Sequence, residues 1–279
     1  MRIAARRNPR LDPRLPPDQW EESRRRYMIR LVTSLVLLAI AAAVGGYYYV
    51  GVYVKTLDKT QGLQPEQVVE AAGLFLAKAE RYRFTAELTG ESGEGYFPNA
   101  TMQGAYQRDP LVLHLSGEAG SAENKVPLEY YLAGVDLYLK NPRSNTWMRV
   151  ENAELDELYA FQPDNLAAPL VTGLRKAEEI RREQTADGEA VVYGLDLDPE
   201  VMRVQPVLQE GERVEYRLWV DTRNLRPIQF QVTLSRNSEN EMAPPPLRFQ
   251  YRITWDFSKQ GLLEVPEPVL SQVGEGGSK

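Results

Sequence analysis

The chain has 279 residues, 43% of them hydrophobic and 26% charged, an ordinary globular composition that excludes disorder throughout. With no cysteine and one histidine, His114, it excludes disulfides, zinc–thiolate centres, thiol catalysis, a lipid-modified cysteine and paired-histidine metal sites. The net charge of −6 conceals a division: residues 1–30 carry nine arginines against four acids, so the remainder is −11, an acidic body without the basic face that nucleic acid requires.

Residues 1–28, with Pro9, Pro13, Pro16 and Pro17 among the arginines, read as a cytoplasmic tail without regular structure. Residues 29–54 read as a transmembrane helix, because Leu31 to Val54 holds no charged residue. As a helix this run rises about 36 Å at 1.5 Å per residue, enough for a bilayer core of roughly 30 Å. The arginines before it place the N-terminus in the cytoplasm and the rest outside, with Tyr47, Tyr48, Tyr49 and Tyr53 as an aromatic belt at the outer interface. The alternative is a cleavable signal peptide with its site in AIAAA (39–43), although the apolar run continues past it. Residues 55–64 are then a short polar tether.

A helix is expected from Pro65 to Tyr82, with Val68, Ala72, Phe75, Leu76 and Ala79 at helical spacing. From Tyr82 the period changes to two, the mark of half-buried strands. Tyr82, Phe84, Ala86 and Leu88 lead, followed by Leu111, Leu113 and Leu115, by Leu128 to Leu139 as a hairpin through Ala133-Gly134, and by a short strand at Trp147–Val150. Residues 152–174 read as one or two short helices broken by Pro163 and Pro169. Strands resume in KAEEIRREQT and AVVYGLDLD around Asp187-Gly188, a strong hairpin signal. A second short helix at 199–208 precedes three clear strands, on which Val214 to Val220, Ile228 to Leu234 and Leu247 to Phe257 each present apolar residues to one side. Trp219 alone points to the polar side, as packing over arginine stems or as a contact surface for a partner or membrane. The expected fold class is mainly β with few helices (α+β): a curved antiparallel half-barrel of about ten strands plugged by helices, preceded by one transmembrane helix. Such a sheet must curl over something, since an open apolar face would expose too much surface.

Catalytic chemistry is hard to assemble. His114 lies opposite the leucines of its strand as an exposed or edge histidine, with no triad spacing around it. Asp196, Asp198 and Glu200 lack the glycine and distal glutamate of a calcium loop, and Glu178, Glu179, Arg181 and Arg182 read as a solvated strand face. The expectation is a non-enzymatic protein with no metal and no cofactor.

The leading helix and strand QVVEAAGLFLAKAERYRFTAEL, the segment YYLAGVDLYLKNPRSNTWMRV, the pair YRLWVDTRNLRPIQFQV and the closing YRITWDFSKQGLLEVPEP together resemble the lipoprotein-carrier superfamily of LolA type, with its LprG, LppX and RseB relatives. The resemblance covers about residues 65–268, leaving 269–279 as a flexible C-terminal tail. It implies a half-barrel around an apolar cavity for acyl chains; from the one-faced alternation the expected lining is Phe84, Leu113, Leu137, Leu218, Phe230, Val232, Phe249 and Ile253, with the short helices at 154–172 and 199–208 as a movable lid. The chain departs from the pattern in having a transmembrane anchor where relatives have a lipidated cysteine or a cleaved signal. The implied partner is a membrane lipid or an acylated protein, bound outside the cytoplasm at the cell membrane. The alternative is an envelope sensor or scaffold that binds another envelope protein and signals through the arginine-rich tail.

Overall fold

The structure is a computed structural model that describes residues 57–92, 99–121, 124–150, 162–186, 188–201, 212–236, 247–258, 261–267 and 269–271, besides positions 39, 40 and 44. The tail and nearly all of the uncharged run at 31–54 lie outside these residues. Among the described residues no helix is long and apolar enough to cross a membrane. The chain divides at Leu57/Asp58 into two compact units, and the second holds the sheet.

Helix α1 (Pro65–Lys78) starts at a proline, and the Gln67 side-chain oxygen accepts the Gln64 backbone N–H at 2.9 Å, which satisfies one of the donors a helix start leaves open. Its buried stripe is Val68, Val69, Ala72, Gly73 and Leu76. Phe75 falls at the margin of that stripe and packs edge-on against Phe257, ring centroids 4.9 Å apart.

Eleven strands follow: β1 (Arg81–Ser92), β2 (Asn99–Gln107), β3 (Val112–Gly120), β4 (Lys125–Ala133), β5 (Asp136–Lys140), β6 (Trp147–Val150), β7 (Leu174–Thr185), β8 (Gly188–Leu197), β9 (Glu212–Asp221), β10 (Pro227–Arg236) and β11 (Leu247–Asp256). They form one antiparallel sheet in the order β6-β5-β4-β3-β2-β1-β11-β10-β9-β8-β7. The sheet is two meanders, β1–β6 and β7–β11, joined where β1 pairs with β11. It does not close, since β6 and β7 are its edges. The fold is the expected curved half-barrel with one strand more. Between the edges the chain passes through α2 (Pro163–Val171), which lies against α1 on the inner face. Gly73 permits the approach, for a Cβ there would stand 2.8 Å from Val171 Cγ2.

The additional strand is β2. Its inner-face positions are Ala100, Met102, Gly104 and Tyr106, too small and mixed to show as an alternating apolar run. Gly104 is required by its neighbour, because a Cβ there would lie 2.1 Å from Phe84 Cζ on β1.

One core cluster joins Val68, Val69, Ala72 and Leu76 of α1 and Leu166, Ala167 and Leu170 of α2 to inner-face residues from β1 to β5 and β7 to β11. Of the one or two short helices expected at 152–174, α2 is present with its buried side chains in the plug, and residues 152–161 lie outside the described residues. Of the segment 199–208, Pro199–Val201 forms a short 3-10 helix and the rest lies outside the described residues.

Two smaller clusters lie on the outer face. Trp219, 6% exposed, packs with Ala190, Val192 and Ile228, and its Nε1 donates to Glu183 Oε1 at 2.5 Å. Trp219 is thus a packed residue, and the same Glu183 carboxylate also accepts from Arg181 Nε at 2.8 Å. Ile228 was expected on the inner face beside Phe230, but a register shift between Pro227 and Gln229 turns it to the Trp219 cluster. In the other cluster Val269, 3% exposed, packs against Tyr131 and Tyr138, with Val265 and Trp147 beside it. The chain after β11 therefore crosses the outer face as a strap packed at least as far as Val269. Gln107, 1% exposed, holds this strap through Leu263, accepting its N–H at 3.0 Å and donating to its carbonyl at 3.4 Å.

Candidate functional site

Antiparallel alternation gives the half-barrel two unlike ends. One, the turn end, carries the β2–β3, β4–β5, β7–β8 and β9–β10 turns. The other carries the β1–β2, β3–β4, β5–β6, β8–β9 and β10–β11 connections.

Arg108, in the β2–β3 turn, ties the helices together at the turn end. Its guanidinium donates to the carbonyls of Ala77 in α1 and of Ala79 just after it and forks onto both Asp164 oxygens of α2 at 3.1 Å. The two helices thus cover the inner face from this end.

Away from it, burial falls along strand after strand. On β1, Phe84 and Ala86 are buried and Leu88 is half-buried; on β11, Ile253 gives way to Tyr251, Phe249 and Leu247. On β10, Phe230 is followed by Val232 and Leu234; on β9, Leu218 by Tyr216 and Val214; on β4, Leu132 by Tyr130, Leu128 and the exposed Val126. The registers place these residues side by side: Leu88 opposite Tyr251, Tyr251 opposite Val232, Val232 opposite Tyr216. The half-buried rows form an apolar trough continuous with the core.

Six of the eight expected lining residues, Phe84, Leu113, Leu137, Leu218, Phe230 and Ile253, lie in the packed core under α1 and α2. Val232 and Phe249 lie in the trough. Their neighbours there are Tyr216, Tyr251, Leu234 and Tyr130, which alternation puts on the apolar face although they are not among the eight expected lining residues, each two or four residues beyond the buried member of its strand.

Burial raises the pKa of Tyr216, and burial with Tyr130 nearby raises that of Tyr251, so both phenols stay neutral. The trough ends at a charged pair on its inner face: Arg236 Nη1 stands 3.1 Å from Glu212 Oε1, with side chains 13% and 5% exposed. Arg236 is opposite both Glu212 and Leu247 in the ladder. A neutral, largely hydrocarbon surface closed by a self-neutralised pair suits an uncharged apolar ligand.

A groove of about 580 Å³ lies on the outer face beneath the strap, lined by Arg83, Thr85, Gln103, His114, Asp256 and Leu263 among others. Its lining is mixed, with Arg83, Gln103, His114 and Asp256 beside Ala105, Trp255 and Leu263. His114 is not the exposed or edge residue expected. It stacks on Tyr131 at 4.2 Å between centroids, its Nε2 3.7 Å from Glu129 Oε1. Burial lowers its pKa, against the pull of Glu129, so the imidazole is neutral at pH 7. Asp198 caps the Glu200 N–H at 3.0 Å and pairs with Arg175, which accounts for one carboxylate of LDLDPE. Among the described residues no group of three or more His, Cys, Asp or Glu is arranged to hold a metal.

The architecture, an open antiparallel half-barrel with helices on its inner face, has a counterpart among solved structures. The crystal structure of LprF from Mycobacterium bovis matches it with a TM-score of 0.50 at 13% identity, covering 73% of this chain and 96% of that one. A LolA superfamily protein from Nitrosomonas europaea aligns over 75% of this chain and 97% of its own at 14% identity, with a TM-score of 0.26. At such identities the likeness is one of fold alone. Residues 85–210, from within β1 through nearly all of the β8–β9 connection, match a family of unknown function, DUF6612. No curated protein matches the chain.

Proposed function

We propose that this is a membrane-anchored, non-enzymatic binding protein that holds the acyl chains of a lipid or lipoprotein in the trough. The observation that carries the proposal is the burial gradient, which leaves uncharged apolar rows half-covered beyond the helices. The LolA-like fold supports it. Residues 31–54 serve as the anchor, with the half-barrel outside the cytoplasm. Each methylene taken from water contributes about 0.8 kcal/mol, so hydrocarbon alone accounts for retention and the neutral rim makes no demand for a charged headgroup.

The test compares lipid extracted from the purified full-length chain with that from Val232→Lys and Leu234→Lys variants, by mass spectrometry. Lipid surrounding the anchor is common to all three, so the difference reports the trough. The expected result is a defined acylated species at least tenfold depleted in both variants, with unfolding transitions retained. Equal lipid in all three proteins overturns the reading.

A further inference from the structure

The segment before α1 does not hang free as a tether. Arg182 Nη1 on β7 binds Asp58 Oδ2 at 2.7 Å and Arg182 Nη2 donates to Thr60 Oγ1 at 3.2 Å. The Lys59 N–H donates to the Thr222 carbonyl in the β9–β10 turn at 2.7 Å. Thr60, 5% exposed, donates from N and Oγ1 to Asp58 Oδ1 at 2.8 and 2.6 Å. The chain is thereby clamped to the turn end from Asp58 onward. Three residues, 55–57, lie between Asp58 and Val54, the last of the uncharged run, so the two Cα atoms are at most about 14 Å apart.

The same end exposes apolar side chains where a soluble turn would be polar. Val135, 62% exposed, occupies the tip of the β4–β5 turn beside Gly134, a place that favours small polar residues. Leu262, 67% exposed, precedes the Leu263 that Gln107 holds at the end of β2. These are the two most exposed large hydrophobic residues among those described from 57 onward, and Leu57 and Leu63 flank the clamp at 42% and 40%. In the β9–β10 turn the Asp221 carboxylate is 1% exposed beneath Arg223 and Arg226, whose guanidiniums lie outermost at 38% and 27%.

We propose that the turn end is a membrane-contact face: Val135 and Leu262 enter the interfacial layer of a lipid surface, and Arg223 and Arg226 lie at the level of its phosphates. Apolar tips with cationic groups beside them suit such a surface. The contact directs the opposite end of the trough away from the membrane. The inference rests on the reading of residues 31–54 as a membrane span, and the experiment separates the two.

Because the chain has no cysteine, single cysteines report without background. Val135→Cys, Leu262→Cys and, as the comparison, Val126→Cys are introduced into the full chain, labelled with a fluorophore and reconstituted in liposomes bearing a nitroxide-headgroup lipid. Val126 lies at the start of β4 and Val135 in the turn beyond its other end, roughly 25 Å apart at 3.3 Å per residue. Quenching at 135 and 262 is expected to exceed that at 126 at least threefold. Equal quenching at the three sites, or stronger quenching at 126, in protein that resists alkaline extraction overturns the contact face and leaves the span intact. Protein released by alkaline extraction overturns the span, and the contact face with it.

Discussion

Phe84 and Gly104 show how one absent side chain shapes the inner face. The Phe84 ring lies over the β2 backbone at the place where any Cβ on residue 104 would overlap it. Gly104→Ala is therefore expected to displace the ring and destabilise the protein by about 1–3 kcal/mol, the usual cost of overpacking. Shrinking the partner restores part of the loss, so Phe84→Leu combined with Gly104→Ala melts above the single alanine variant. Thermal unfolding of the three proteins checks this, and additive losses would refute the steric account.

Asp58 acts at the same scale. Burial raises its carboxyl pKa, but hydrogen bonds from Thr60 and Arg182 outweigh that and hold it below the ordinary value of 3.8. A carboxyl depressed in the folded state stabilises it fully above the unfolded pKa and loses that contribution as pH falls through the folded pKa. The wild-type melting temperature should thus fall more steeply below pH 4 than that of Asp58→Asn, which at pH 7 should be about 2 kcal/mol less stable. Melting curves between pH 7 and pH 2.5 measure both, and parallel curves would refute the role of the carboxylate.

At the scale of elements, legibility followed side-chain size and turn chemistry. The hairpins at Gly134 and Gly188 were plain because both glycines take positive φ, 62° and 131°, which the sequence marks. Strand β2 was hidden because its inner positions are small to fit under Phe84, a demand set by a neighbouring strand. The inward direction assigned to Ile228 failed at a register shift, which alternation does not foresee. The strap after β11 carries too little pattern to read, and it is held by Val269 in the pocket of Tyr131 and Tyr138. Val269→Asp buries a carboxylate among aromatic rings and should free the strap, at a cost of several kcal/mol if the charge stayed in place. Hydrogen exchange would then rise at Leu263 and along the strap while the β9–β10 hairpin remains protected. Unchanged exchange would show that Val269 does not hold it.

For the whole molecule, the sequence showed that one apolar sheet face needed covering, and its periodicity identified most of that face. What it did not show was how far the cover extends. Phe84, Leu113, Leu137, Leu218, Phe230 and Ile253 have the same alternating signature as Val232 and Phe249, yet the first six are buried in the core that α1 and α2 join and the other two lie half-buried at the trough. That division depends on where two helices stop across a sheet, a tertiary fact without local trace.

The pairing of β1 with β11 also sets an order of assembly. Residues 83–92 find these partners only at 247–256, more than 150 residues later in the chain. Until the last strand is made, β1 has β2 on one side and an open row of amide and carbonyl groups on the other. Such long-range closure is slow compared with the hairpins of each meander. The unfinished edge is also a template for wrong pairing. The two meanders can form early, but the protein becomes one sheet only when its final strand arrives, and the strap that follows β11 then fastens across the face just completed.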